Sequence, residues 1–359
     1  MFTLHQTGGH RKLKTSLKIV SLLIAVPLVL AGCGTKPSTE GQSAGSASNA
    51  PEAKKTVKVG ISQIVEHPSL NATREGFLAA LKDGGFVDKE NLQVDYQNAQ
   101  GDSTNNLTIG QKFAADKKDL VFAIATPSAQ AVVQNVKDTP VLFGAVTDPL
   151  SAKLVTSLDK PGGNVTGAAD THPDAVPKLM DFIASEFPKV KTVGVVVNEG
   201  EPNAAFMVKT AEAALAKHNV KVVKASVANP SDVKQAAESL VGRADALYIT
   251  LDNTVVSGVE SIIKVATDKK IPFFSSDRDT VEKGAIATYG FKYYDHGYQA
   301  GKMAVEILKG AKPGDMKVSY PDKLDLIINA AAAKAQGVEI TDSMKAKMQD
   351  KNNLLNAAK

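Results

Sequence analysis

The sequence predicts an α/β protein built as two doubly wound parallel-sheet lobes. From Thr56 onward, short β-branched runs alternate with amphipathic stretches, the pattern of a parallel sheet covered by helices on both faces. The alternation restarts after Gly167. The chain has 359 residues of which 43% are hydrophobic, and single cores stop growing near ~250–300 residues. One large sheet would hold as many units, but two lobes with a cleft respect that limit.

The chain opens with Arg11, Lys12, Lys14 and Lys18, followed by an apolar run from Ile19 to Ala31. This order of basic, apolar and small-residue segments reads as a secretory signal over residues 1–32. The run is about 13 residues long and contains Pro27, short of the ~20 a spanning helix needs, so cleavage is expected rather than anchoring by a helix. Cleavage would leave Cys33, the only cysteine, at the new N-terminus. Leu30-Ala31-Gly32-Cys33 resembles a bacterial lipobox, which implies diacylation of Cys33 and attachment to a membrane. Residues 33–55 form the lipidated cysteine and a tether of Ser, Gly, Ala, Thr, Pro and Lys that buries too little surface to order itself. Within it, Gly41-Gln42-Ser43-Ala44-Gly45 matches the nucleophile-elbow pattern, but no strand precedes it as that motif requires.

The elements then follow in order. Val57–Ile64 reads as a strand, Ser69–Leu81 as a helix, Leu92–Tyr96 as a strand and Asn105–Ala115 as a helix. Leu120–Ala125, a helix from Pro127, and Val141–Phe143 continue the series. After Gly167 come a helix over Val176–Glu186, a strand over Thr192–Val197, a helix over Pro202–Lys217 and a strand over Val220–Ala225. Helices over Ser231–Val241 and Thr254–Thr267 alternate with strands over Ala246–Leu251 and Ile271–Ser275. The last elements are strands at Ala285–Tyr289 and Leu324–Ile328 and helices at Tyr294–Lys309 and Asn329–Gln336.

Composition excludes several functions. The net charge of +4 reflects 42 Lys and Arg against 38 Asp and Glu; the four basic residues of the leader account for the whole difference. No surplus is left for a nucleic-acid face. One cysteine allows no intrachain disulfide. No Gly-x-Gly-x-x-Gly, phosphate-loop or His-Glu-x-x-His pattern occurs, the six histidines are scattered, and neither enzyme chemistry, a cofactor nor a metal is expected.

In open α/β sheets ligands bind beyond the carboxyl ends of strands. Glu66 and His67 leave the first strand before a helix that Ser69 can cap; a solvated turn explains them equally well. Thr126 suits an N-cap and Pro127 the first helical position, leaving the amides of Ser128 and Ala129 for an anion, or simply starting a helix. Thr147 and Asp148 form a third polar loop. In the second half the corresponding loops hold Glu201, Asn203, Asp252, Asn253 and Asp277, whose carboxylates either face a cleft or cap helices. Amides and hydroxyls on one side and carboxylates on the other suit a zwitterion.

Glu66-His67-Pro68-Ser69-Leu70, Arg74-Glu75-Gly76-Phe77, Thr126-Pro127-Ser128-Ala129-Gln130, Val146-Thr147-Asp148-Pro149, Asn164-Val165-Thr166-Gly167 and Asp252-Asn253 together resemble the ABC transporter substrate-binding lipoproteins of the tryptophan/tyrosine type. The resemblance covers nearly the whole chain after the tether. It implies a periplasmic-binding-protein type I fold, with strands crossing between lobes near Val165–Ala168, Ala285–Tyr289 and Leu324–Ile328. The lobes would then comprise residues 56–167 with 290–320, and 168–289 with 321–350. At the second-lobe mouth the family usually reads Asn-Pro-x-Glu-x-Asn-Ser; here Glu201 and Asn203 match while Ala204 replaces a hydroxyl. It further implies an extracytoplasmic monomer that closes on an amino acid and presents its closed form to a membrane permease and its ATPase, or to a sensory receptor. The expected roles are Ser128, Ala129 and Thr147 on the carboxylate, Asp252, Asp277 or Glu201 on the ammonium, and Glu66 and His67 shaping the pocket.

Overall fold

The computed structural model describes residues 56–321 and 323–356; the leader, Cys33 and the tether lie outside them. The first sheet is formed by β1 (Val57–Gln63), β2 (Leu92–Asn98), β3 (Leu120–Ile124), β4 (Val141–Val146) and β5 (Val165–Ala169), connected by α1 (Pro68–Asp83), α2 (Ser103–Ala115) and α3 (Thr126–Asn135). All its strand pairs are parallel, in the order β2-β1-β3-β4-β5. Every residue of β3 and β4 is buried, which is why both read as unbroken apolar runs rather than as alternating ones.

The chain continues through α4 (Ala175–Glu186), β6 (Thr192–Val197), α5 (Pro202–Ala216), β7 (Lys221–Ser226), α6 (Val233–Leu240) and β8 (Ala246–Ile249). Then follow α7 (Asn253–Ser257), α8 (Val259–Lys269), β9 (Phe273–Ser275) and α9 (Arg278–Lys283). These strands form a second parallel sheet, ordered β7-β6-β8-β9. The helix expected over Thr254–Thr267 is two helices that meet at Gly258, whose backbone leaves the helical region at φ −107° and ψ 12° and where a Cβ would lie 2.9 Å from the Pro230 carbonyl oxygen. The short α9, which no long periodic run announces, was not expected.

The last part holds β10 (Ala287–Gly290), α10 (Tyr293–Leu308), β11 (Asp325–Asn329), α11 (Ala330–Ala335), α12 (Asp342–Ala346) and β12 (Leu354–Leu355). β10 pairs antiparallel with β11, which pairs parallel with β12. Side chains of α10 and Val318 join the core of the first sheet, whereas Ala287, Leu326 and Ile328 join that of the second. The chain therefore passes between the two cores after β5, between β10 and α10, and again after Val318. The segments expected to cross are themselves strands, and the passages lie just beyond their ends or starts.

α10 reaches the first core by packing backbone to backbone on α1. A Cβ on Gly297 would lie 2.0 Å from the Thr73 carbonyl oxygen, and one on Gly76 2.0 Å from that of Tyr294. Helix propensity alone favours alanine over glycine by about 1 kcal/mol. Overlap with main chain that cannot rotate away costs ~1–3 kcal/mol or more. Gly297→Ala is therefore expected to destabilise the protein by about 1–2 kcal/mol in denaturant unfolding, and a stabilised variant would contradict this packing.

Candidate functional site

Both sheets reverse winding direction at their first strand, β1 in one and β6 in the other, and the two switch points face each other. The loops leaving β1 and β4 and the start of α10 meet the loops entering α5, α7 and α9 around a small cavity. From the first lobe come His67, Ser69, Leu70, Ala145, Thr147 and Tyr293; Asp170 follows β5. Asn203, Leu251, Asn253, Val256 and Asp277 close it from the other side.

Two carboxylates are buried at this cavity. Asp277 caps α9, accepting from the Asp279 amide at 3.0 Å, the Thr280 hydroxyl at 2.8 Å and, across the cleft, the Ser69 hydroxyl at 2.9 Å. Asp170 accepts from Tyr293 Oη at 3.3 Å and from the Thr171 hydroxyl at 3.1 Å. Burial pushes its pKa up to about 6 against the opposing pull of the hydroxyls of Thr171, Tyr293 and Thr147. His67 Nε2 lies 3.4 Å from Asn253 Oδ1 across the cleft. Burial lowers its imidazole pKa, so the ring is neutral near pH 7. His67 Nδ1 and Asn203 Oδ1 are buried at the cavity without a hydrogen-bond partner. Unpaired buried polar atoms are costly, and two beside one cavity mark where a polar solute would be received.

A model of the family described as ABC transporter substrate binding protein matches residues 58–351. The chain belongs to that family. Its members are solute-binding proteins rather than enzymes, and substrate-binding proteins of ABC transporters work outside the cytoplasm. Among the described residues no helix is long and apolar enough to cross a membrane. The chain is 41% identical to the tyrosine-binding protein of Clostridioides difficile (strain R20291) over 94% of its length and 98% of that protein's. Among solved structures, the ABC domain in complex with L-Trp from Streptococcus pneumoniae is 32% identical with a TM-score of 0.77, covering 82% of this chain and 99% of that one. The ligand-free, open structure of a substrate-binding protein with adhesive properties from Clostridium difficile is 44% identical, yet its TM-score is 0.60, over 80% of this chain and 97% of that one. The chain thus superposes better on the L-Trp complex than on the more similar sequence in its ligand-free, open form. The fold is the periplasmic-binding-protein type I fold.

Of the residues expected at the site, His67, Thr147, Asn203, Asn253 and Asp277 line the cavity. Glu66 does not: it is exposed, accepting from Tyr96 Oη at 3.1 Å beside Arg74. Asp148 is used locally, accepting from the Leu150 and Ser151 amides and the Ser151 hydroxyl. Asp252 is wholly buried as the cap of α7, one oxygen on the Val255 amide and the other on that of Asn198, so it holds two loops together instead of facing a ligand. Thr126 is the first residue of α3 rather than its cap, since Ala125 takes that place at φ 77° and ψ 154°. The helix thus starts one residue early and the Ala129 amide is spent on the Ala125 carbonyl, while the Ser128 hydroxyl donates to Asn106 Oδ1 at 3.1 Å. Neither Ser128 nor Ala129 lines the cavity. Ser69 likewise caps nothing, because His67 is the cap residue of α1. Sequence reasoning missed Asp170 and Tyr293. Asp170 was legible as a carboxylate after a strand, but β5 was read only as a crossing.

Ala145 shows how the cavity wall is held. It has φ 53° at an irregularity in β4, and its amide donates to His296 Nε2 of α10 at 3.0 Å. Burial lowers the His296 pKa to about 4, which keeps this acceptor unprotonated. Direct polar contact across the cleft includes Ser69 with Asp277 and His67 with Asn253. Such a bond is worth ~1 kcal/mol net. Ser69→Ala is expected to lower the closed-to-open ratio of the ligand-free protein roughly fivefold, read by distance labels on the two lobes. An unchanged ratio would remove this bond from the closure balance.

Proposed function

We propose that this protein is the binding component of an ABC importer and captures a small zwitterionic solute, an aromatic amino acid of the tyrosine or tryptophan kind, by closure of its two lobes. The observation that carries this reading is the cavity itself, whose lining combines two buried carboxylates and two unpartnered acceptors with Leu70, Leu251 and Val256. The ammonium would lie between Asp170 and Asp277 and the side chain against the apolar wall. The tyrosine-binding and tryptophan-complexed relatives support that choice of solute. Anchoring through a diacylated Cys33, action as a monomer and delivery to a permease driven by an ATPase complete the proposal. Because a ligand touching both lobes interacts more strongly with the closed form, binding would shift the lobes toward closure.

Unfolding and refolding to strip carried-over solute, then melting with each amino acid in turn, tests the reading. A ligand at 100 times its Kd adds about 2.7 kcal/mol, a rise of roughly 5 °C for a chain of this size. Stabilisation by tyrosine or tryptophan is expected, and none by any amino acid would sink the proposal.

The pH dependence has a definite sign. Free protein binds a proton at Asp170 below about pH 6, and an ammonium held there must displace it. Affinity should be level above pH 7 and fall by up to ~tenfold per pH unit below 6. Calorimetry at pH 7.5 and 5.0 checks this, and Asp170→Asn should weaken binding and flatten the dependence.

A further inference from the structure

Glu201 sits outside the cavity lining, yet its carboxylate determines which way two cavity side chains present their amides. Its Oε2 accepts from Asn253 Nδ2 at 2.6 Å, from Asn203 Nδ2 at 3.2 Å and from the Asn253 main-chain amide at 3.1 Å. Its Oε1 accepts from the Thr254 amide and hydroxyl, both at 2.9 Å. Five donors converge on its two oxygens, so Glu201 accepts at both, with the two asparagine NH2 groups turned toward it and their carbonyl oxygens away. Asn203 Nδ2 is further fixed by the Leu251 carbonyl at 2.7 Å. The consequence for Asn203 is an Oδ1 that reaches the cavity unpaired.

For Asn253 the consequence passes to a third residue. Its Oδ1 can only accept, so His67 Nε2 must carry the ring proton and donate across the cleft. His67 Nδ1 is then a bare lone pair, buried and unpartnered at the cavity. The hydroxyls of Ser69 and Tyr293 are already turned onto Asp277 and Asp170. What these groups leave for a ligand is acceptors.

We propose that Glu201 is a positioning residue that sets the hydrogen-bond polarity of the closed site, making Asn203 Oδ1 and His67 Nδ1 acceptors beside Asp170 and Asp277, so that the subsite admits a primary ammonium and rejects a carboxylate. The proposal rests on the reading of the cavity as the solute site and specifies which end of the solute enters it. A primary ammonium brings three N–H donors and a positive charge, matching acceptors that are otherwise buried unpaired. A carboxylate would meet the lone pairs of all four groups.

The test uses the full-length protein and three aromatic probes: tyrosine, tyramine, which lacks the carboxylate, and 3-(4-hydroxyphenyl)propionate, which lacks the ammonium. Tyramine is expected to bind at least tenfold more tightly than the propionate. In Glu201→Gln the carbonyl oxygen stays on Thr254, so the new NH2 group faces the Asn253 main-chain amide and both asparagine side-chain amides, and the side chains, which alone can turn, lose the acceptor that oriented them. That variant should reduce the preference for tyramine over the propionate at least tenfold, whereas a merely structural loss would weaken both probes alike. In the wild-type complex, nitrogen NMR of His67 should show Nε2 protonated and Nδ1 bare. Equal affinities for the two probes, an unaltered preference in a folded Glu201→Gln, or a proton on Nδ1 would each overturn the proposal. Tyramine binding without tyrosine binding would remove the amino-acid reading and leave the ammonium subsite standing. Failure of both ammonium compounds to bind would remove the subsite.

Discussion

The contact between α1 and α10 is the constraint on which the architecture depends. The first sheet is complete by Ala169, but one of its covering helices arrives only after the chain has built the second sheet. That return is secured by glycines at 76, 297 and 301, where one helix backbone lies against the other or its Cβ atoms. Hydrogen bonding adds to it, since His296 holds the Ala145 amide and Tyr293 reaches Asp170. The same helix therefore seals one core, supports a strained wall residue and places a hydroxyl at the cavity. A shift of α10 would be felt at all three.

With the lobes placed, the site follows from topology and from one imbalance. Parallel sheets of the same winding bring their strand ends together, and the polar residues there are the ones a ligand meets. Most of these groups are paired: Asp252 with two main-chain amides, Ser128 with Asn106, Glu201 with five donors. Pairing within a lobe makes a group structural, and the proposed binding mode assigns the solute to the residues left over at the cavity. His67 Nδ1 and Asn203 Oδ1 are such residues.

Much of the fold was legible because strand and helix periods differ and the strand ends carry polar residues. The parallel rhythm, the restart after Gly167 and the cavity residues His67, Thr147, Asn203, Asn253 and Asp277 could all be read this way. What sequence could not tell is which strand-end carboxylates spend their lone pairs locally. Asp252 and Asp277 both cap short helices, and only the three-dimensional partners separate them: Asp252 faces a main-chain amide of its own sheet, Asp277 a hydroxyl from the other lobe. A one-residue difference in where α3 begins had the same effect, consuming the Ala129 amide that a later start would have freed. Asp170 escaped notice because a crossing strand has an end like any other.

The division between paired and unpaired groups also explains why closure can respond to a solute. Direct bonds across the cleft such as Ser69 to Asp277 and His67 to Asn253 contribute ~1 kcal/mol each, enough to bias the lobes but far from the ~5.5 kcal/mol that carries a two-state equilibrium from 1:99 to 99:1. The larger part must come from the solute, which touches both lobes only when they are closed. Charge-assisted hydrogen bonds to buried carboxylates are among the stronger interactions available, and Asp170 and Asp277 both line the cavity. Under the proposed binding mode, a solute satisfying both would be held by the closed form. The acceptors left unpaired without it favour opening, so under the proposed mode the atoms that select the solute would also make its departure reopen the cleft.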